Sequence, residues 1–249
     1  MHNDARFELI QKNDPNTLSP VSGDRWAYYA AKRILDIVIS VILLVSLAPL
    51  MLLIALMILV YSPGPVFFVQ ERVGAKRQIY GWHYYWKRVN FRCYKFRTMR
   101  VNTDHSIHQA YVRALIANDE EQMTALQGEK TTARKLIHDS RIMRPGAVLR
   151  KWSLDELPQL WNVLRGDMSL VGPRPAIPYE VEMYQSWHLG RLLAQPGITG
   201  LQQVTARSIT DFDQQVGLDI EYIQNQSIWS DFKIILQTPL AIISRRGAH

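Results

Sequence analysis

The chain has 249 residues and a formal net charge of +7, with 29 lysines and arginines against 22 aspartates and glutamates. This length accommodates one large domain, and the positive charge favours anionic partners such as nucleotide phosphates or lipid head groups. Cys93 is the only cysteine, which excludes a disulfide framework and fits a reducing cytosolic compartment. Residues 1–25 are polar and rich in turn formers, so we expect a polar N-terminal tail.

An almost wholly apolar run extends from Ile34 to Tyr61. At ~1.5 Å per residue, a helix over this run exceeds the ~30 Å hydrocarbon core of a bilayer, so we expect it in or on a membrane. Pro49 near its middle favours a bend, and basic residues flank both ends, whereas a spanning helix normally carries them on its cytoplasmic side. The residues favour a re-entrant helix over 26–61, kinked near Pro49, and leave a proline-kinked span open.

The segment after this helix is rich in aromatic and basic residues between positions 80 and 92. Such interleaving can stack single-stranded nucleic acid, but beside a membrane helix an interfacial belt on anionic lipid is the better interpretation. A plain β-hairpin is the alternative. Alternation over Phe91–Met99 predicts a strand with Lys95 and Arg97 on one face, which makes these two cations a candidate phosphate clamp.

Two adjacent acids, Asp155 and Glu156, follow Ser153 and precede Pro158. One interpretation is a capping box, in which Ser153 and Glu156 cap a helix that begins at this point. The other is a helix that begins at Pro158, with both acids just outside its N-terminus. In both cases the pair lies where backbone N–H groups favour anions, phosphates included.

The chemistry available to this pair is phosphoryl chemistry. An aspartate can act as a nucleophile, and Mg²⁺ takes one or two protein carboxylates together with waters and substrate phosphates. The sequence contains no P-loop, no Rossmann fingerprint, no serine nucleophile elbow and no Cys/His metal cluster. Arg174, in a loop rich in glycine and proline, can bind a phosphate bidentately or pair with a carboxylate. Chemistry on a phosphorylated substrate at a membrane surface is therefore the leading class.

The C-terminal stretch Ile228–Ile243 is amphipathic and is interrupted at Pro239. Both a core helix and a helix lying on lipid fit this pattern.

Several longer motifs occur in one order along the chain, and together they cover nearly everything from residue 30 onwards. They are Lys32-Arg33-Ile34-Leu35-Asp36, Gln70-Glu71-Arg72-Val73-Gly74, Lys95-Phe96-Arg97-Thr98-Met99, residues 149–163 around the acidic pair, Gly172-Pro173-Arg174-Pro175 and Pro196-Gly197-Ile198-Thr199-Gly200. On these motifs the chain resembles the bacterial sugar transferases, the monotopic polyprenyl-phosphate phosphoglycosyl transferase family.

The resemblance implies an enzyme that moves a sugar 1-phosphate from a UDP-sugar to undecaprenyl phosphate and releases UMP, initiating exopolysaccharide, O-antigen or glycoprotein glycan assembly. It implies that Asp155 is the nucleophile, forming a covalent aspartyl phosphosugar, and that Glu156 is the ligand of a Mg²⁺ cofactor. Substrate phosphates would be held by a set of cations: Lys95, Arg97, Arg150, Arg174 and Arg207.

The implied architecture is mostly α with a small β component. A kinked re-entrant helix over 26–61 would hold an α/β catalytic domain, residues 62–249, with surface amphipathic helices, on the cytosolic face of the bacterial inner membrane. The expected partners are the UDP-sugar, undecaprenyl phosphate and membrane lipids, with a homodimer as the default for the class and no nucleic acid. An inactive membrane-anchored scaffold is the alternative function. Gln202 and Ala206 stand where the family usually has tryptophan and glycine.

Overall fold

The computed structural model of the chain describes residues 14, 16–20, 25–80, 83–101, 106–127, 141–205 and 211–244. The helices are α1 Trp26–Tyr61, α2 Ser106–Ile116, α3 Glu120–Gln127, α4 Arg144–Lys151, α5 Gln159–Arg165, α6 Pro178–Glu182, α7 Leu201–Thr205, α8 Phe212–Gln224 and α9 Ile228–Ile243, with 3-10 helices at Leu154–Glu156 and Ser186–Leu192. The strands are β1 Thr17–Pro20, β2 Phe67–Tyr80, β3 His83–Phe96, β4 Ser169–Val171 and β5 Gly197–Thr199. The mostly helical content with a small sheet component confirms that part of the predicted fold class.

Helix α1 is the longest element of the described chain. Its 36 residues contain Pro49 and extend over roughly 54 Å at ~1.5 Å per residue. By length and composition it is able to cross a membrane. Much of its middle portion presents large apolar side chains outward, such as Val45 and Leu53. A helix that exposes so much apolar surface is suited to lipid contact rather than to water.

Both ends of α1 lead into the same sheet. Strand β1, which precedes the helix, pairs antiparallel with β3, and β2, which follows the helix, pairs antiparallel with the same strand. The spatial order is therefore β1-β3-β2. Residues 17–20 lie inside the segment predicted to be a polar tail, and the structure corrects that prediction by making them a strand of this sheet.

The N-terminal half of α1 packs on the rest of the described chain through buried polar groups at four-residue intervals: Lys32, Asp36 and Ser40. Lys32 Nζ lies 2.8 Å from Asp231 Oδ2 of α9. The Tyr222 hydroxyl of α8 donates to Asp231 Oδ1 at 2.6 Å. These contacts join α1, α8 and α9 at a buried point, because both members of the ion pair are at least nine-tenths enclosed.

Two further side chains of α1 form hydrogen bonds with backbone groups of β4 and α5. The Asp36 carboxylate accepts a hydrogen bond from the backbone N–H of Leu170 in β4 at 2.9 Å. The Arg33 guanidinium donates to the carbonyl oxygens of Val163 and Leu164 at 2.5 and 2.7 Å, at the end of α5. Cations near a helix C-terminus interact favourably with its unpaired carbonyls. The helix is thereby fixed in register against both β4 and α5.

The C-terminal half of α1 is attached through apolar contacts and one arginine. Ile54 and Ile58 are buried against Phe96 at the end of β3 and against Leu149 of α4. Arg97 donates from Nη1 to the Pro63 carbonyl at 3.1 Å and from Nη2 to the Ser62 carbonyl, in the turn that ends the helix.

The main core lies where β3, α5, α8 and α9 meet the short parallel pair β4 and β5. Asn162 of α5, fully buried, accepts a hydrogen bond from the Tyr94 N–H at 3.1 Å and donates to the Arg92 carbonyl at 2.7 Å. Buried backbone groups require partners, and one amide side chain supplies two of them along β3. The helix that follows the acidic pair is thereby fastened to the strand that carries Lys95.

We expect the substitution Lys32→Met to lower the free energy of unfolding by about 3–5 kcal/mol, because it leaves the Asp231 carboxylate buried without its cation. Denaturation of the detergent-solubilised protein measures this change. The control is Lys76→Met, which removes a pair with Asp167 at 2.9 Å in which the lysine is 40% exposed and Arg165 also contacts the carboxylate at 3.3 Å. In Lys76→Met the free energy of unfolding should fall by no more than about 1 kcal/mol. An equal fall in the free energy of unfolding in the two variants would contradict the expectation that loss of the buried cation is the more destabilising.

Candidate active site

The acidic pair lies in a tight connection between α4 and α5. Ser153 has a positive φ of 55°, a single 3-10 turn covers Leu154–Glu156, and Pro158 is the N-cap residue of α5. Ser153 makes no side-chain capping hydrogen bond. The capping-box interpretation is therefore wrong. The alternative is right that both acids lie outside α5, but the helix begins at Gln159, one residue after the expected Pro158. Proline suits this position because it has no N–H to leave unpaired.

Gly146 lets α4 approach the strand side of the site closely. A Cβ atom at this position would lie 2.2 Å from the Thr98 carbonyl oxygen, so only glycine fits. The close approach brings Arg150 of α4 to Thr98, where Arg150 Nε donates to the hydroxyl oxygen at 2.9 Å. This hydrogen bond fixes the position of the Arg150 guanidinium. The positive charge of Arg150 acts to lower the pKa of the Asp155 carboxyl.

Asp155 is buried, with 8% of its surface exposed. Burial raises the pKa of its carboxyl and the charge of Glu156 raises it further, while Lys95 and Arg150 act in the opposite direction. A desolvated carboxylate is a stronger nucleophile than a hydrated one, provided that nearby cations keep it ionised.

Glu156 faces the cations of the sheet and of the loop after β4. Lys95 Nζ lies 2.6 Å from Glu156 Oε1, and the Arg174 guanidinium lies 4.0 Å from the same oxygen. Arg174 is about half exposed, so it is available to a ligand. The loop that carries it is held by the parallel pair, through hydrogen bonds from Gly172 N to the Thr199 carbonyl and from Gly197 N to the Pro173 carbonyl.

Lys95, Glu156 and Arg174 line an open pocket, in which the empty space, open solvent included, is about 260 Å³. Its walls combine three cations, one acid and two amides with small or apolar residues: Arg72, Lys95, Arg174, Glu156, Gln159, Gln203, Cys93, Pro175, Gly197 and Ile198. The positive charges outnumber the negative charge of Glu156, so the pocket favours an anionic ligand. The buried Gln203 Oε1 has no hydrogen-bond partner within the described chain and is available to a donor.

Arg72 is a buried cation of this pocket that we did not single out from the sequence. Its guanidinium donates to the Pro175 carbonyl at 2.9 Å and to Gln70 Oε1 at 2.6 Å, and its Nε lacks a partner among the described residues. Burial lowers the pKa of Arg72, which means that an anion nearby would be stabilising. Alternation in β2 could have predicted that Arg72 shares a face with Gln70, because the two residues are two positions apart in the strand.

Of the predicted site residues, Lys95, Glu156 and Arg174 line the pocket, whereas Asp155, Arg150 and Arg97 are not among its lining residues. Strand β3 ends at Phe96, so the alternation that was to pair Arg97 with Lys95 stops before Arg97. Arg97 binds the carbonyls of Ser62 and Pro63 instead, as described above. The structure therefore corrects the predicted clamp of Lys95 and Arg97. Arg207 lies outside the described residues.

Within the part of the chain that the structure describes, no group of three or more His, Cys, Asp or Glu side chains could hold a metal ion. The adjacent carboxylates of Asp155 and Glu156 are a smaller donor set. This set fits Mg²⁺ better than Zn²⁺, because Mg²⁺ is bound by one or two carboxylates plus substrate phosphates.

A buried acid beside a partly buried acid, close to several cations and to the attachment of an apolar helix, is a candidate site for phosphorylated ligands. The sequence comparisons agree. The family model described as bacterial sugar transferase matches residues 27–245. The chain therefore belongs to the bacterial sugar transferase family, and it is an enzyme of that class.

Three relatives illustrate the range of the family. The chain is 36% identical over 219 residues to the exopolysaccharide production protein ExoY of Sinorhizobium fredii, covering 88% of each chain. It is 39% identical over 218 residues to the undecaprenyl-phosphate galactose phosphotransferase of Salmonella typhimurium, covering 88% of this chain and 41% of that one. It is 36% identical over 226 residues to the UDP-glucose:undecaprenyl-phosphate glucose-1-phosphate transferase of Caulobacter vibrioides, covering 88% of this chain and 72% of the relative.

We expect Asp155→Asn to raise the thermal unfolding midpoint at neutral pH, because the neutral amide avoids the cost of a buried carboxylate. The pKa of Asp155 is raised in the folded state, so the penalty is absent below the ordinary value of 3.8 and grows as the pH rises through the folded-state pKa. The midpoint difference between variant and wild type should follow that dependence in thermal scans at several pH values. Glu182→Gln, at an exposed carboxylate, is the control, and a gain of the same size there would refute the explanation.

Proposed function

We propose that the protein transfers a sugar 1-phosphate from a UDP-sugar to undecaprenyl phosphate and releases UMP. The observation that carries this proposal is the buried Asp155 carboxylate, which is influenced by the charges of Lys95 and Arg150 and is followed by Glu156. Glu156 in turn contacts Lys95 and lies 4.0 Å from Arg174. The names of relatives in this family include undecaprenyl-phosphate galactose phosphotransferase and UDP-glucose:undecaprenyl-phosphate glucose-1-phosphate transferase, which supports the substrate classes. The product would begin the assembly of a surface polysaccharide.

The reaction proceeds in two displacements. A carboxylate oxygen of Asp155 attacks the phosphorus that bears the sugar, and the bond from that phosphorus to the bridging oxygen breaks, so that UMP leaves with the electron pair. The intermediate is a mixed anhydride of Asp155 with the sugar phosphate. A phosphate oxygen of the lipid acceptor then attacks the same phosphorus, and the Asp155 carboxylate is released unchanged.

The cations have separate tasks in this scheme. Lys95 and Arg150 keep Asp155 ionised, since both lower the pKa that burial raises. Arg174 is half exposed and 4.0 Å from Glu156, and it binds the phosphates of an incoming substrate. Arg72 acts as a positioning residue, because its hydrogen bond to the Pro175 carbonyl holds the residue next to Arg174.

Glu156 would hold Mg²⁺, with Asp155 beside it. When bound, the ion neutralises negative charge on the substrate phosphates. Glu156 now contacts Lys95 at 2.6 Å, so this ion pair must share the carboxylate with the metal.

We also propose that α1 is re-entrant, bent near Pro49, with both ends on the cytosolic face of the inner membrane. The support is topological. The strand before the helix and the strand after it pair with the same strand β3, and a straight span would carry them to opposite sides of the bilayer. A second support is the apolar outer face of α9, where exposed side chains recur at helical spacing: Trp229, Phe232, Leu236, Leu240 and Ile243. A face of this kind lies on lipid beside the membrane helix.

We expect Asp155→Asn to reduce the exchange of labelled UMP into UDP-sugar by at least ~1000-fold in the absence of lipid acceptor, because exchange requires the covalent intermediate. Purified protein, Mg²⁺ and the UDP-sugar that gives the highest UMP release in a panel of donors are used. The control variant is Glu182→Gln, which should exchange as fast as wild type. Exchange at the wild-type rate in Asp155→Asn would remove Asp155 from the role of nucleophile.

A re-entrant helix predicts that positions before and after α1 lie on the same side of the membrane. In a Cys93→Ser background, Asn16→Cys and Gln78→Cys, both at exposed positions, should be shielded from a membrane-impermeant thiol reagent in intact cells. Both should react after permeabilisation. Labelling of only one of the two in intact cells would establish a span.

A further inference from the structure

The register of the long hairpin defines which side chains share a face with the active site. Phe68 lies opposite Lys95, and Gln70 lies opposite Cys93. Opposite residues of an antiparallel pair point to the same side, and positions two apart along a strand do so as well. Cys93 and Lys95 line the pocket, as does Arg72, so Phe68 belongs to the pocket face of the sheet.

The character of this face changes along the hairpin. On one side of Lys95 the neighbours are the buried Cys93 and the pair formed by Gln70 and Arg72, which are polar and held by hydrogen bonds. Directly across from Lys95, on β2, is Phe68, with 40% of its surface exposed. An exposed aromatic ring thus lies next to a lysine whose amine contacts Glu156 at 2.6 Å. A ligand at Lys95 would have a polar environment along the strand and an apolar ring directly across from the lysine.

The end of the sheet that carries Phe68 and Lys95 is also the end attached to α1, through the opposite face of the sheet. Phe67, the neighbour of Phe68, stacks on Phe96 with ring centroids 5.5 Å apart, and Phe96 packs on Ile54 and Ile58 of α1. Only residues 62–66 separate the end of α1 from the start of β2. Phe68 and Lys95 therefore lie at the end of the sheet that adjoins the C-terminal end of the apolar helix, and the pair Tyr80 and His83 lies at the opposite end.

We propose that Phe68 contacts the isoprenoid chain of the lipid acceptor next to its phosphate, while the phosphate lies at Lys95. The inference rests on the proposed function and identifies a substrate-contacting residue for the second displacement. An amphiphile that enters from the bilayer carries its phosphate next to its apolar chain, and a cation with an exposed aromatic ring directly across from it, at the end of the sheet that adjoins α1, offers a contact for each. The UDP-sugar has no such chain, so Phe68 is not needed for the first displacement.

The test separates the two half-reactions. With undecaprenyl phosphate in detergent micelles, Phe68→Ala should raise the acceptor KM about tenfold, because it removes a large part of an aromatic contact with the chain. The exchange of labelled UMP into UDP-sugar, measured without acceptor, should stay within about twofold of wild type. Phe68→Leu, which keeps an apolar side chain, should restore most of the acceptor affinity.

Val69→Ala is the matched control, because Val69 is exposed to a similar extent and points to the other face, opposite Tyr94. An acceptor KM that stays at the wild-type value in Phe68→Ala overturns the proposal. So does an equal rise in Val69→Ala, or a loss of UMP exchange in Phe68→Ala as large as the loss in lipid transfer. Absence of UMP exchange in the wild type would instead count against the covalent intermediate, and the acceptor KM would still be measurable from the sugar-lipid formed.

Discussion

The attachment of one apolar helix at both ends to the same domain is the constraint on which the rest of the structure depends. The strands before and after α1 share β3, and the helix is fixed between them by Lys32, Asp36 and Arg33 in its first half. Buried ion pairs contribute little net stability compared with apolar packing, but they penalise any other register strongly. The polar contacts of α1 therefore determine how the helix lies on the catalytic domain, and its apolar surface provides the affinity for lipid.

The active site lies where that attachment ends. The C-terminal half of α1 packs on Phe96, the residue after Lys95, and on Leu149, the residue before Arg150. Two of the cations around Asp155 are thus placed by residues adjacent to the membrane helix. Asn162 also contributes, because its side chain hydrogen-bonds to the backbone of β3 and so holds α5 against that strand. Short links hold the acid pair, its cations and the apolar helix in one arrangement, as the proposed transfer from a water-soluble donor to a membrane-bound acceptor requires.

Local chemistry made much of this arrangement predictable from sequence. The apolar run, the helix over Ile228–Ile243 and the acidic pair all follow from hydrophobic pattern and residue type. Pro158 restricted the start of α5 to two alternatives, and the structure is closer to the second because Ser153 adopts a left-handed conformation. The family resemblance supplied the roles of Asp155 and Glu156, which spacing alone could not provide.

Long-range contacts account for what the sequence did not reveal. The hairpin strands extend to 14 residues each, and β1 joins them from the predicted tail, because pairing over such separations leaves little local signal. Arg97 was paired with Lys95 by alternation, but the strand ends one residue earlier and the guanidinium binds the carbonyls at the end of α1. The sequence pattern around Arg72 predicts only a strand residue, because its partner, the Pro175 carbonyl, is distant in sequence.

The central claim is that Asp155 becomes covalently bound to the sugar phosphate. Mass spectrometry of acid-quenched protein, after incubation with a UDP-sugar and Mg²⁺ but no lipid acceptor, tests it most directly. The account predicts a sugar-phosphate adduct on the peptide that contains Asp155, which disappears when undecaprenyl phosphate is added before quenching. Turnover with an unmodified Asp155 peptide, or an adduct on another residue, would contradict it.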